Sequence, residues 1–147
     1  MEKIDEGILL NYDNAIRILK RLKKIIKRYM ELPINDKLEI EIYTDSIMKK
    51  YEILEELTWR LLSKIFKQQG LLITTPQICY KQAFKVGYIE DIEIFNCILN
   101  VRTSYYQIYG EDDTNSIRDC IINDYCSALE ELLDKIKENI INDIPEQ

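Results

Sequence analysis

Breakers are scarce in this chain: four glycines and three prolines are spread over 147 residues. A β-meander needs a turn roughly every ten residues, so a sequence this poor in turn formers is confined to long helices. Richness in Ile, Tyr and Asn mildly favours strands on propensity alone, but the apolar residues recur at helical spacing and that periodicity outranks it. A hydrophobic fraction of 46% suffices to bury a real core at this length. The expectation is one all-α domain over 1–147, its core at about 13–142, built as an up-and-down bundle of four to five helices.

Residues Met1 to Tyr12 read as a lead-in, and the first helix begins at Asp13 with Asp13 or Asn14 as its cap. Ile18, Leu19, Leu22, Ile25, Ile26, Tyr29 and Met30 share one arc, and Pro33 closes the segment. A longer helix starts near Asn35 or Asp36 and runs to Gln69, with Gly70 as its stop. Ile47, Tyr51, Leu54, Leu61 and Ile65 form its seam. Trp59, with Tyr43 and Phe66, lies off that seam and reads either as an interface anchor or as a further layer of core. Thr75-Pro76 is a cap followed by proline at the first helical position, opening a short helix that stops at Gly87. Asp91 caps the helix carrying Phe95 to Tyr109. The last helix starts around Thr114 to Ser116, where Ser116 and Asp119 have capping-box spacing, and continues through Ile121, Tyr125, Leu132 and Ile136.

Charge is segregated. Arg17, Lys20, Arg21, Lys23, Lys24, Lys27 and Arg28 give the first helix +7, so the remainder carries −13 to reach the net −6. A basic amphipathic helix can meet nucleic acid, an anionic membrane or an acidic protein, and the bland reading is a solvated face balanced by acidic neighbours. The net charge disfavours a protein that coats nucleic acid generally, though it leaves room for a local basic patch. Cys79, Cys97, Cys120 and Cys126 stand at irregular spacings and there is no histidine, so buried free thiols are expected and no metal site. Neither a signal-peptide run nor a membrane-length apolar stretch is present, and a cytoplasmic protein without cofactor or membrane contact is the expectation.

The stretch FNCILNVRTSYYQIYGE, Phe95 to Glu111, places a polar tip on an apolar helix. Arg102 with Tyr105, Tyr106 and Tyr109 has the residue types of a nucleotide or anion site, since guanidinium binds phosphate bidentately and aromatic rings stack on bases. The alternative is a capped surface arginine beside half-buried tyrosines. No glycine-rich phosphate loop or dinucleotide fingerprint occurs. Glu55 and Glu56, like Glu111, Asp112 and Asp113, lack a second ligand at metal spacing and read as solvated acids.

Three segments resemble a known family. DSIMKKYEILEELTWR, Asp45 to Arg60, is similar to the D-x-x-I-x-x-[FY]-E-x-x-x-E-L-x-W-[KR] stretch of the nucleotidyltransferase substrate-binding proteins, part of the HEPN superfamily. Thr75-Pro76 followed by Ala83 to Ile89 resembles the family's S-P-x(6)-A-F-x-x-G-x-I, and Phe95 to Arg102 resembles its W-x-x-M-L-x-x-R-N. The resemblance covers about Asp13 to Lys137. It implies an all-α homodimer encoded beside a minimal nucleotidyltransferase. The functional signature R-x(4)-H-x-Y falls on Arg102, Gln107 and Tyr109, with glutamine in place of histidine and Thr103 in place of asparagine. In ribonuclease members the arginine and histidine act at the scissile phosphate; in toxin–antitoxin pairs the partner adenylylates the tyrosine. Glutamine exchanges no proton near neutral pH. Tyr109 is a poor substitute base, because an unperturbed phenol is only ~0.1% ionised at pH 7.

The resemblance therefore implies a weakly active or non-catalytic accessory subunit of a HEPN/MNT-type toxin–antitoxin pair, with Arg102 and Tyr109 as an anion-binding or modifiable tip. Two alternatives stand beside it. One is a ribonuclease toxin cleaving RNA through Arg102 at a dimer interface. The other is a non-enzymatic adaptor docking through the basic helix, with Arg17, Lys20, Arg21, Lys24, Lys27, Arg28 and Trp59 as interaction residues.

Overall fold

The computed structural model describes residues 5–33, 35–102 and 111–141, and among these every regular element is a helix. Helix α1 spans Glu6–Met30. It starts earlier than expected: the Asp5 carboxylate caps it by accepting from the Gly7 amide at 2.8 Å. The lead-in belongs to the helix because Ile8 buries itself in one row with Ala15, Leu19 and Leu22. Asp13 is an exposed mid-helix residue, and Asn14 accepts a hydrogen bond from Arg17 instead of capping.

Helix α2 (Lys37–Gln68) begins where Asp36 accepts from the Glu39 amide at 3.2 Å. All five seam residues, Ile47, Tyr51, Leu54, Leu61 and Ile65, are buried. Its end is a Schellman motif: Gly70 has φ +90°, and the amides of Gly70 and Leu71 donate to the carbonyls of Lys67 and Phe66. Helix α3 (Pro76–Lys85) opens on the Thr75 cap and ends the same way, with Gly87 at φ +87° and Tyr88 donating to the Ala83 carbonyl. Helix α4 (Ile92–Arg102) is capped by Asp91, whose carboxylate accepts from the Glu93 amide. The expected continuation of α4 to Tyr109 lies outside the described residues.

Glu111–Cys120, Ile121–Tyr125, Cys126–Ile136 and Lys137–Ile141 follow without a break as α, π, α and π segments, together helix α5. Since Glu111 is already helical, Ser116 and Asp119 sit inside the helix and form no capping box. The π turn is closed by the Cys126 amide donating to the Ile121 carbonyl, and Ile121 and Tyr125 stay buried across it.

Cross-contacts fix the directions. The Asp5 amide reaches the Gln68 side chain at 3.4 Å, so α1 and α2 are antiparallel. Arg118 donates to Thr44 at 3.0 Å and Tyr125 packs on Tyr51 at 6.0 Å between ring centroids, so α5 runs parallel to α2. Tyr88 stacks on Phe66 while Arg102 reaches Glu55, which turns α4 antiparallel to α2. The four longer paths thus alternate up and down, with α2 at the centre. Short α3 packs across, Tyr80 lying against Phe95 at 5.0 Å. Arg118 is 8% exposed and ties α5 to the start of α2 and to the Tyr29 ring on α1.

Candidate functional site

The site grows from the helical period of α2. Tyr51, Leu54, Glu55, Thr58 and Leu62 fall on its buried side by three-and-four spacing. Position 55 is therefore a core position occupied by an acid. Its side chain is 0% exposed, which corrects the reading of Glu55 as solvated. A buried carboxylate survives only with partners. The Tyr80 hydroxyl donates to its Oε2 at 2.5 Å and Arg102 Nη1 donates to its Oε1 at 2.8 Å.

Glu56 also departs from the solvated reading. It accepts from Arg102 at 2.6 Å, from the Trp59 indole at 3.0 Å and from Arg60 Nε at 2.8 Å. Burial pushes its carboxyl up, but those three hydrogen bonds and the Arg102 charge outweigh burial and hold it at about 2. On Arg102, burial disfavours the cation, and the two carboxylates more than reverse that, raising its pKa further. The guanidinium carbon also lies 5.5 Å from the Trp59 ring centroid, and that of Arg60 5.2 Å. Trp59 is 8% exposed, so within this chain its ring is committed to the arginine cluster. Phe66, grouped with it in the sequence, is fully buried.

Arg102 is consequently neither a capped surface residue nor an unengaged fork. Glu55 and Glu56 already balance its charge, and its side chain remains 23% exposed at the wall of an open groove of about 1050 Å³. Lys49, Glu52, Ile53, Glu56 and Leu57 of α2 form one wall. Thr75, Pro76 and Gln77 at the start of α3 form the second, and Asn96, Leu99, Asn100 and Arg102 of α4 the third. Ile53, Leu57, Pro76 and Leu99 make part of the groove lining apolar, and the remainder carries amides, a lysine and carboxylates. Glu52 has its carboxyl raised by burial, partly offset by Lys49 at 3.9 Å. Of the two carboxylates on Arg102, Glu56 is the more exposed, at 36% against 0% for Glu55.

Of the residues singled out by sequence, Arg102 and Trp59 meet here. Tyr105, Tyr106, Gln107 and Tyr109 lie outside the described residues. Arg17, Lys20, Arg21, Lys24, Lys27 and Arg28 are all exposed along α1. Sequence reasoning missed Glu55, Glu56, Arg60 and Tyr80. The available signal was the core phase of Glu55, four residues after Tyr51 and seven before Leu62.

Three segments far apart in the chain converge on the groove: Lys49 to Leu57, Thr75 to Gln77, and Asn96 to Arg102. An all-α bundle with an arginine and carboxylate clamp beside a groove is the class of protein defined so far. A family model described as nucleotidyltransferase substrate binding protein like matches residues 10–138. The chain belongs to that family. Among curated proteins, none matches it. No helix among the described residues is long and apolar enough to cross a membrane.

Proposed function

We propose that the protein is the accessory, substrate-binding subunit of a small nucleotidyltransferase in a HEPN/MNT-type toxin–antitoxin pair, acting as a homodimer. The observation that carries this reading is the convergence of parts of the three family segments, Lys49 to Leu57, Thr75-Pro76 and Asn96 to Arg102, on one groove walled by Arg102. The groove receives the partner enzyme or the group it modifies, and the carboxylate clamp sets the direction of Arg102. Tyr109, seven residues on, is the acceptor: its phenol oxygen attacks the α-phosphorus of ATP held by the partner, pyrophosphate leaves, and the partner takes the phenol proton. The chain itself is non-catalytic or weakly active, because Gln107 transfers no proton and Arg102 is charge-balanced by Glu55 and Glu56. Those two facts also weigh against the ribonuclease reading.

Co-expression with the adjacent nucleotidyltransferase, followed by intact-mass measurement, tests this. The expected result is a complex and an adenylate mass increment that disappears in Tyr109→Phe. A complex without any increment removes the acceptor role, and an increment that persists in Tyr109→Phe moves it to another residue.

A further inference from the structure

The cations of α1 form a surface apart from the groove. Arg17, Lys20, Arg21, Lys24, Lys27 and Arg28 lie within about 120° of helical arc and over about 17 Å of axis. Between Asp13 and Glu31 every exposed position except Met30 is charged, and the interior of that interval is exclusively basic. Among the described residues none of the six is in an ion pair; Lys23, at the edge, takes the bridge to Glu130 at 2.9 Å. The acidic helices packed beside α1 therefore leave the stripe uncompensated.

We infer that this stripe docks the phosphate backbone of duplex nucleic acid, without regard to sequence. An anionic membrane is disfavoured because the apolar face of α1, with Ile8, Ala15, Leu19 and Leu22, is buried in the bundle, leaving only the isolated Leu10 and Met30 as exposed large apolar side chains of the helix. An acidic protein is disfavoured because protein interfaces need aromatic or apolar anchors and are depleted in lysine, and the stripe offers lysine and arginine without an anchor. A single strand is disfavoured because no exposed aromatic residue interleaves the cations to stack bases. What remains matches a duplex, whose charge density of one per about 1.7 Å is met by cations on each turn of α1 between Arg17 and Arg28. The net −6 of the chain does not cancel this, since screening confines each charge to about 8 Å at physiological salt.

The test is fluorescence anisotropy of a labelled duplex DNA titrated with the full chain across a salt series. Duplex RNA and single-stranded DNA serve as parallel probes and polyglutamate as competitor. Up to six phosphate contacts predict an affinity loss of roughly a thousandfold between 50 and 200 mM salt. Both duplexes should bind comparably, because no side chain in the stripe reads the 2′-hydroxyl. Lys20→Glu, Lys24→Glu and Lys27→Glu together should abolish binding, and the milder Lys→Gln triple should weaken it and flatten the salt dependence. Lys67→Glu, Lys81→Glu and Lys85→Glu, an equal change in net charge placed elsewhere, should retain it. Equal loss in both reversal sets, preference for the single strand, displacement by equimolar polyglutamate, or no binding at low salt would overturn the inference.

Discussion

Arg102→Ala probes the clamp most sharply. Removing the guanidinium strips Glu55, fully buried, of a partner at 2.8 Å while the Tyr80 hydroxyl remains. Breaking a buried ion pair from one side costs about 3–5 kcal/mol, because a charge is left uncompensated. With the Arg102 side chain 23% exposed, water enters the vacated space and the lower end, about 3 kcal/mol, applies. For a domain of this size that lowers Tm by roughly 9 °C. Glu55→Gln in the same chain removes the stranded charge while keeping the shape, so the double variant should recover about half of the loss. Urea and thermal unfolding of wild type, both singles and the double give the coupling directly. If Arg102→Ala lies within about 0.5 kcal/mol of wild type, or the double is no more stable than Arg102→Ala, Glu55 is not a charge held by Arg102.

Three further outcomes follow from the same contacts. Glu56 is held at about 2, below its ordinary value of 4.5, so its contribution to stability is fully present above pH 4.5 and lost as pH falls towards 2; Glu56→Gln should flatten the unfolding free energy measured across that window. Cys97 is exposed whereas Cys79 and Cys126 are buried with thiols pushed up to about 11. Iodoacetamide at neutral pH should therefore label Cys97 in the folded protein and reach Cys79 and Cys126 only on unfolding, as read by peptide mass spectrometry. Gly70→Ala forces a side chain into the left-handed region at φ +90° and should cost about 1–2 kcal/mol by urea unfolding, although the space around it is open.

Much of the bundle was legible because its signals are local. The α2 seam, the Thr75-Pro76 start and the glycine stops at Gly70 and Gly87 each need only a few neighbouring residues to read. The start of α1 was missed because Asp13 and Asn14 have cap chemistry, while the true cap, Asp5, precedes a glycine and a weakly patterned turn. The capping-box spacing of Ser116 and Asp119 misled for the same reason: a pattern of residue types does not say that the helix has already begun at Glu111. Arg102 stands out in the sequence through its motif. Its partners do not, since Glu55 lies 47 residues away and its burial depends on α3 and α4 closing over α2. Two adjacent glutamates look alike in sequence; the helical phase sends Glu55 into the core and Glu56 to the groove.

Under the proposed function, the groove beside Arg102 is where the nucleotidyltransferase engages this chain. The most direct measurement is the affinity of the purified enzyme for the wild-type chain and for chains with the groove blocked at its exposed rim by Gln77→Arg or Asn96→Arg. The expected result is a complex at micromolar concentrations that each rim substitution weakens at least tenfold, about 1.4 kcal/mol, with the thermal stability of the chain unchanged. Unaltered affinity in both rim variants would contradict it, as would the absence of any complex with the wild-type chain.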